Sequence, residues 1–231
     1  PTTISLSVAV DSNVTCNGLS NGGLTASATG GLLPYLYSWS NGATTASITG
    51  LVAGNYAVTI TDAANVTANV LQTITEPSLL VATLTGTDAT TIGGNDGSIL
   101  ATVVGGTPAY AYNWSNGSAV ATTGNITAGT YSVTISDANG CLTIDSAVVS
   151  DPASVVIVID SSNVSCFGAS DGTAKVNISV GSGSYSYMWS NMATTDSIGG
   201  LASGTYVVTV TDNSGSTAID SVIIVEPLAL Q

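Results

Sequence analysis

The stretch Gly54-Asn55-Tyr56-Ala57-Val58-Thr59-Ile60-Thr61-Asp62 returns as Gly129-Thr130-Tyr131-Ser132-Val133-Thr134-Ile135-Ser136-Asp137, and again as Gly204-Thr205-Tyr206-Val207-Val208-Thr209-Val210-Thr211-Asp212. In each copy Tyr, Val and Ile or Val recur at every second position, alternating with Ala57 and Thr59, Ser132 and Thr134, and Val207 and Thr209. This period of two sets Tyr56, Val58 and Ile60 on one face of a strand, and the β-branched and aromatic content favours that reading. The copies lie 75 residues apart, so the chain is a tandem repeat.

The rest of the repeat unit falls into place around this strand. Trp39, Trp114 and Trp189 keep the same interval of 75, and all nine tyrosines occupy repeat-equivalent positions. Tyr35, Tyr37 and Trp39 alternate with Leu36 and Ser38, which turns three aromatics to one face. Ala174, Val176, Ile178 and Val180 alternate with Lys175, Asn177 and Ser179, which places the single Lys on the solvent face. Turn signals at Asn21-Gly22, Gly30-Gly31, Asn41-Gly42, Gly50 and Gly54 separate six or seven short strands per unit. Pro77, Pro152 and Pro227 each follow an acid, Glu76, Asp151 and Glu226, and close the units. The expected domains are therefore 1–77, 78–152 and 153–231.

Short alternating strands around one Trp, with a Gly-x-Tyr step resembling a tyrosine corner, predict an all-β fold. The fold class is three tandem immunoglobulin-like β-sandwich repeats of about 75 residues in a linear rod. Trp39, Trp114, Trp189, Tyr56, Tyr131 and Tyr206 are expected to be structural core. No linker separates the units, and seven strands would put the two ends of a unit at opposite poles, whereas six would return the chain to one pole. The rod assumes the former.

Only 6% of residues are charged, and 14 carboxylates face a single cationic side chain for a formal charge of −13. Such a surface opposes nucleic acid and anionic membranes, and it leaves stability to apolar burial and backbone ladders. No run approaches the roughly 18 to 20 apolar residues that span a bilayer, and no basic-then-apolar leader opens the sequence, so membrane insertion is not expected. There is no His, the base of most nucleophilic sites, and no phosphate-cradling Gly loop followed by Lys, so the chain reads as no enzyme. No cofactor is expected except, as an alternative, calcium. Its oxygen ligands would be Asp62, Asp137 and Asp212, the Asn21/Asp96/Asp171 turn and the acids before the boundary prolines. The competing reading has these side chains capping their own turns.

Cys16-Asn17-Gly18, Pro34-Tyr35, Tyr37-Ser38-Trp39-Ser40-Asn41-Gly42 and Leu51 through Asp62 resemble the SprB-type repeat of giant surface adhesins of gliding Bacteroidota. Tyr112-Asn113-Trp114-Ser115-Asn116-Gly117 and Cys166-Phe167-Gly168 with Tyr187-Met188-Trp189-Ser190-Asn191 carry it through the other units. The resemblance implies an extracellular, cell-surface protein of many repeats used in adhesion or gliding, with no catalysis. It also makes Ser146, Ser197 and Ser221, each in an Asp-Ser-apolar triplet, candidate O-glycosylation sites. It further implies a cysteine pair within one repeat, early turn to late turn, yet no unit keeps both. Cys16 stands opposite Val66, Cys141 opposite Thr91 and Cys166 opposite Ser216. Unpaired thiols, a Cys141–Cys166 bridge across the second boundary and pairing between chains remain open.

The expected function is a stalk or filament segment of an adhesin that projects a binding tip or transmits force. Its partners would be neighbouring repeats of the same chain. The alternatives are an array of carbohydrate-binding modules gripping surface polysaccharide, which needs outward aromatics, and a self-assembling filament of identical chains.

Overall fold

A computed structural model describes residues 3–229 of the 231. They form strands joined by turns, with no helix among them. The first repeat holds β1 (Ser5–Ser12), β2 (Gly22–Thr29), β3 (Leu36–Trp39), β4 (Ser47–Leu51), β5 (Gly54–Thr61) and β6 (Thr67–Ile74). The second holds β7 (Val81–Thr87), β8 (Gly97–Val104), β9 (Ala111–Trp114), β10 (Thr122–Ile126), β11 (Gly129–Ser136) and β12 (Leu142–Val149). The third holds β13 (Val156–Ser162), β14 (Gly172–Val180), β15 (Tyr185–Trp189), β16 (Ser197–Leu201), β17 (Gly204–Asp212) and β18 (Thr217–Ile224). Each repeat makes two three-stranded antiparallel sheets, ordered β1-β2-β4 and β3-β5-β6 in the first and likewise in the others.

The chain divides into two compact bodies, Pro1–Leu84 with Ala101–Ala121 and Ser132–Ser146, and Thr85–Leu100 with Thr122–Tyr131 and Ala147–Gln231. The middle repeat contributes to both. In the first body the two sheets of repeat one close on Leu24 and Ala26 of β2, Ile48 and Leu51 of β4, Trp39 of β3, Val58 and Ile60 of β5 and Ile74 of β6. In the second body Ala174, Val176, Trp189, Ile198, Leu201, Val208, Val210 and Ile224 make the equivalent core. The middle repeat buries the counterparts Ile99, Ala101, Trp114, Ile126, Val133, Ile135 and Val149. Period-two patterning drives this directly, because a strand with every second residue apolar turns one face inward. The β14 residues Ala174 and Val176 are buried while Lys175 between them is exposed. These are immunoglobulin-like sandwiches.

Trp39, Trp114 and Trp189 are 2–3% exposed. A buried indole must find an acceptor for its N–H, and each ring finds one six residues on. Trp39 Nε1 donates to Thr45 O at 2.8 Å, Trp114 Nε1 to Val120 O at 2.9 Å and Trp189 Nε1 to Thr195 O at 2.9 Å. The half-buried Tyr56, Tyr131 and Tyr206 lie third in β5, β11 and β17 and donate their hydroxyls four residues back, to Val52 O at 3.0 Å, Thr127 O at 2.9 Å and Ala202 O at 3.2 Å. This is the tyrosine corner of immunoglobulin folds.

The strand count is six, yet the expectation that six strands return the chain to one pole is corrected. Just past β1 and β6, Val14 N donates to Thr75 O at 3.0 Å and Thr75 N donates to Asn13 Oδ1 at 3.0 Å. The two strands therefore finish side by side and run the same way. The antiparallel pairings then require β3 and β4 to share that direction, and β3 ends with Trp39 opposite Val58, midway along β5, while β4 begins with Ser47 opposite Thr25, midway along β2, so the link 40–46 carries the chain from one sheet to the other at mid-height. The indole bond to Thr45 holds this link. β3 and β4 thus make one traverse between them, the six strands make five traverses in all, and the repeat is entered and left at opposite poles.

Replacing Trp189 with Ala removes that anchor together with the largest core side chain. It is expected to cost about 3–5 kcal/mol, seen in calorimetry of the whole chain as an early transition for the third repeat, with the first repeat's midpoint unchanged. Equal shifts in every transition would show instead that the repeats unfold as one.

Candidate functional site

The polar chemistry of each repeat is concentrated in two turns. One follows the first strand and lies at the pole where the chain leaves the repeat. In the first repeat this early turn is Thr15-Cys16-Asn17-Gly18. Asn21 holds it, accepting from Thr15 N at 3.1 Å and donating to Thr15 Oγ1 at 2.7 Å, and Glu76 Oε2 accepts from Gly18 N at 2.7 Å. Asp96 does the work of Asn21 for Thr90, and Asp171 does it for Ser165. Asp151 accepts from Gly93 N at 3.0 Å and Glu226 from Gly168 N at 3.1 Å, as Glu76 does from Gly18.

The other turn follows the fifth strand, at the opposite pole, and is built on a buried Asp. Asp137 Oδ1 accepts from Asn139 N and Cys141 N, both at 2.9 Å, while Oδ2 accepts from Thr107 N at 2.8 Å. Asp62 gathers Leu32 N, Ala64 N and Val66 N in the same way, and Asp212 gathers Ser182 N, Ser214 N and Ser216 N. The approach is so close that only Gly fits opposite the carboxylate. A Cβ on Gly106, whose φ is +62°, would lie 2.7 Å from Asp137 Oδ2 and 2.9 Å from Leu80 Cδ1.

Within the first body the early turn of repeat one meets the late turn of repeat two. Cys16 and Cys141 form a disulfide with Cα atoms 5.7 Å apart, closing a sequence separation of 125. Beside it Asn139 Nδ2 donates to Thr15 O at 2.9 Å and to Thr107 Oγ1 at 3.0 Å. Asn17 Nδ2 reaches Pro77 O at 3.1 Å. A small cavity between the turns is lined by Cys16, Leu19, Pro77, Leu80, Gly140 and Leu142 among others.

The bond corrects all the cysteine expectations for this pair. Cys16 and Cys141 are not free thiols, and Cys141, being bonded to Cys16, makes no bridge to Cys166, which is free and exposed. Pairing between early and late turns of one repeat is barred by the strand between them. The eight residues of β6 separate the two poles by about 26 Å, against the roughly 7 Å a disulfide spans between Cα atoms. The sequence signal was present in the phase of the two cysteines, since turns at opposite poles of one repeat become neighbours only across a boundary. Reading it required placing the early and late turns at opposite poles of one repeat, which comparing positions within a unit does not do.

Trp39, Trp114 and Trp189 are buried inside the sandwiches. Ser146 of β12, Ser197 of β16 and Ser221 of β18 are exposed, and the amides of Ser146 and Ser221 each donate to the preceding Asp at 2.8 Å. The carboxylates considered for calcium all accept backbone N–H groups in the turns just described. Among the described residues no three His, Cys, Asp or Glu side chains converge as a metal site would need.

The SprB repeat family matches the chain three times, over residues 8–44, 83–119 and 158–194. No curated protein matches it in sequence. Among solved structures it is similar to the N-terminal eight Ig domains of Down syndrome cell adhesion molecule, at 11% identity over 89% of this chain and 33% of that one, with a TM-score of 0.32. It is also similar to a tetra-tandem repeat from the extending region of a large adhesion protein, at 17% identity over 95% of this chain and 73% of that one, TM-score 0.32. The chain spans about a third of the length of the first of these.

The carboxyls of Asp62, Asp137 and Asp212 are held below their ordinary 3.8, chiefly by the Leu32 amide, the Thr107 amide and the Ser214 hydroxyl respectively. A depressed folded value means the stabilisation is complete above the unfolded value and is lost as pH falls through the folded one. The thermal midpoint should therefore be level from neutrality down to about pH 4 and drop below it. Asp137→Asn should lower the neutral midpoint and flatten the acid limb. A wild-type midpoint unchanged at about pH 2 would contradict the carboxylate clasp.

Proposed function

With three SprB repeats in the chain, an adhesin-type repeat protein, we propose that this segment serves as a load-bearing spacer in an extracellular surface adhesin and acts mechanically rather than chemically. The observation that carries the reading is the covalent bond between turns of successive repeats. Tension applied at the two ends enters through β1, reaches Cys16, crosses to Cys141 and continues into β12. The residues between the cysteines are bypassed, so most of the first two repeats cannot be drawn out while the bond is intact. The repeats contain almost no ion pairs to reinforce them, since one Lys faces 14 acids, and an isolated hydrogen bond contributes only about 1 kcal/mol net. A disulfide across the junction supplies what the surface chemistry lacks. Buried indoles argue against sugar stacking as the primary role.

A second reading, lateral association of identical chains, is favoured by the outer edges of two sheets. Ile144 and Val148 on β12 and Ile219 and Ile223 on β18 are 61–71% exposed, and such edge strands invite pairing. Concentration-dependent sedimentation that disappears in Ile219→Lys would support it, and a single species at all concentrations would remove it.

The spacer reading predicts a length. Pulled by its ends, the reduced chain should release about 400 Å more contour than the oxidised chain, because a sequence separation of 125 extends at roughly 3.3–3.6 Å per residue. Equal contour lengths before and after reduction would refute the bypass.

A further inference from the structure

The early turn occurs three times, at 15–18, 90–93 and 165–168. In the first it is bonded to the late turn of the repeat that follows, and Cys16 and Pro77 are half-buried. In the third the same turn has the same internal bonds. Ala169 N donates to Cys166 O at 3.1 Å as Leu19 N does to Cys16 O, and Gly168 N reaches Glu226 as Gly18 N reaches Glu76. Here, however, its outer face is bare. Cys166 is a free, exposed thiol, Phe167 is 61% exposed and Leu228 95%, and together with Ser165 and Pro227 they line a concave apolar surface. The corresponding surface of the first repeat is the one built against Cys141 and Leu142.

We propose that the face around Cys166 is the docking site for a further repeat of this family in the same chain, one whose late turn carries a cysteine in the place of Cys141, and that the two are joined by a disulfide. That partner cysteine stands 125 residues after Cys166, the separation of Cys16 from Cys141. The intervening junction, with Thr91 and Ser216 in the two cysteine positions, is then uncrosslinked, so that covalent and non-covalent junctions alternate along the array. The apolar Phe167, where the first repeat has Asn17, suits a surface that is covered in use, since a ring this exposed gains from burial. Forming the bond breaks two S–H bonds and makes one S–S bond. The two hydrogens and two electrons pass to a disulfide oxidant such as oxidised glutathione, which leaves as two thiols. The proposal stands on the turn geometry and holds whether or not the junction bears load.

The test extends the full chain after Pro227 by a copy of its own residues 78–152, kept in phase, and folds it in a glutathione redox buffer. Mass spectrometry of unreduced digests should find Cys166 joined to the copied Cys141, with the native Cys16–Cys141 bond retained. In Cys166→Ser the copied cysteine should become alkylatable. A Cys166 that stays alkylatable while the added repeat buries its tryptophan would overturn the proposal, as would a bond that joins two chains on a non-reducing gel. The double variant Thr91→Cys/Ser216→Cys tests the same rule without any added repeat. It should form a third-to-second repeat disulfide under the same conditions, leaving Cys166 as the single free thiol, and three free thiols in the folded variant would overturn the rule.

Discussion

The governing constraint on this chain is a surplus of carboxylates with almost no cations to meet them: 14 acids and one Lys. An acid that is buried without a counter-ion must be solvated by hydrogen bonds, or it takes up a proton. Here the solvation comes from the backbone. Asp62, Asp137 and Asp212 are 4–6% exposed, and each gathers amide N–H groups from two loops at once. The same bonds that stabilise the charge fix the shape of the turn. In this way the acids become structural elements, and Gly31 and Gly106, opposite Asp62 and Asp137, are required by steric contact as well as by their positive φ.

From those turns the junction follows. Asp137 presents Cys141 by binding its amide, and Asn21 and Glu76 present Cys16 by binding the turn on either side of it. Two preorganised turns from opposite poles of successive repeats then bring their sulfurs together without a linker. The sandwich cores supply rigidity, since the indole of each repeat ties down the link that carries the chain from one sheet to the other between the third and fourth strands. A loose link there would move the poles on which the junction depends. Sheet, pole and disulfide are therefore one chain of cause, running from the period-two strands outward.

Much of this was legible in the sequence. The alternation of Tyr56, Val58 and Ile60, the Trp interval and the Gly-x-Tyr step identified the strands, the repeat and the corner, because burial on one strand face leaves a local, periodic trace. The direction of the chain through the sandwich left no such trace. Ser40 through Ala46 reads as a turn-rich loop, and nothing local shows that it carries the chain from one sheet to the other at mid-height, so that β3 and β4 share one traverse. The cysteine pairing failed for the same reason. Cys16 and Cys141 come together through geometry that spans a repeat boundary, and comparing residues within one unit sets Cys16 against Val66, which lies at the far pole.

The central claim is that successive repeats are locked together turn to turn by Cys16 and Cys141. Its most direct test is disulfide mapping of the oxidised chain. Trypsin is of little use with one Lys, so the unreduced protein would be alkylated and cleaved before its aspartates. The account predicts one linked pair of peptides carrying Cys16 and Cys141, and a single alkylated thiol at Cys166. A bond from Cys166 to either of the others, or three alkylated thiols in the folded chain, would contradict it.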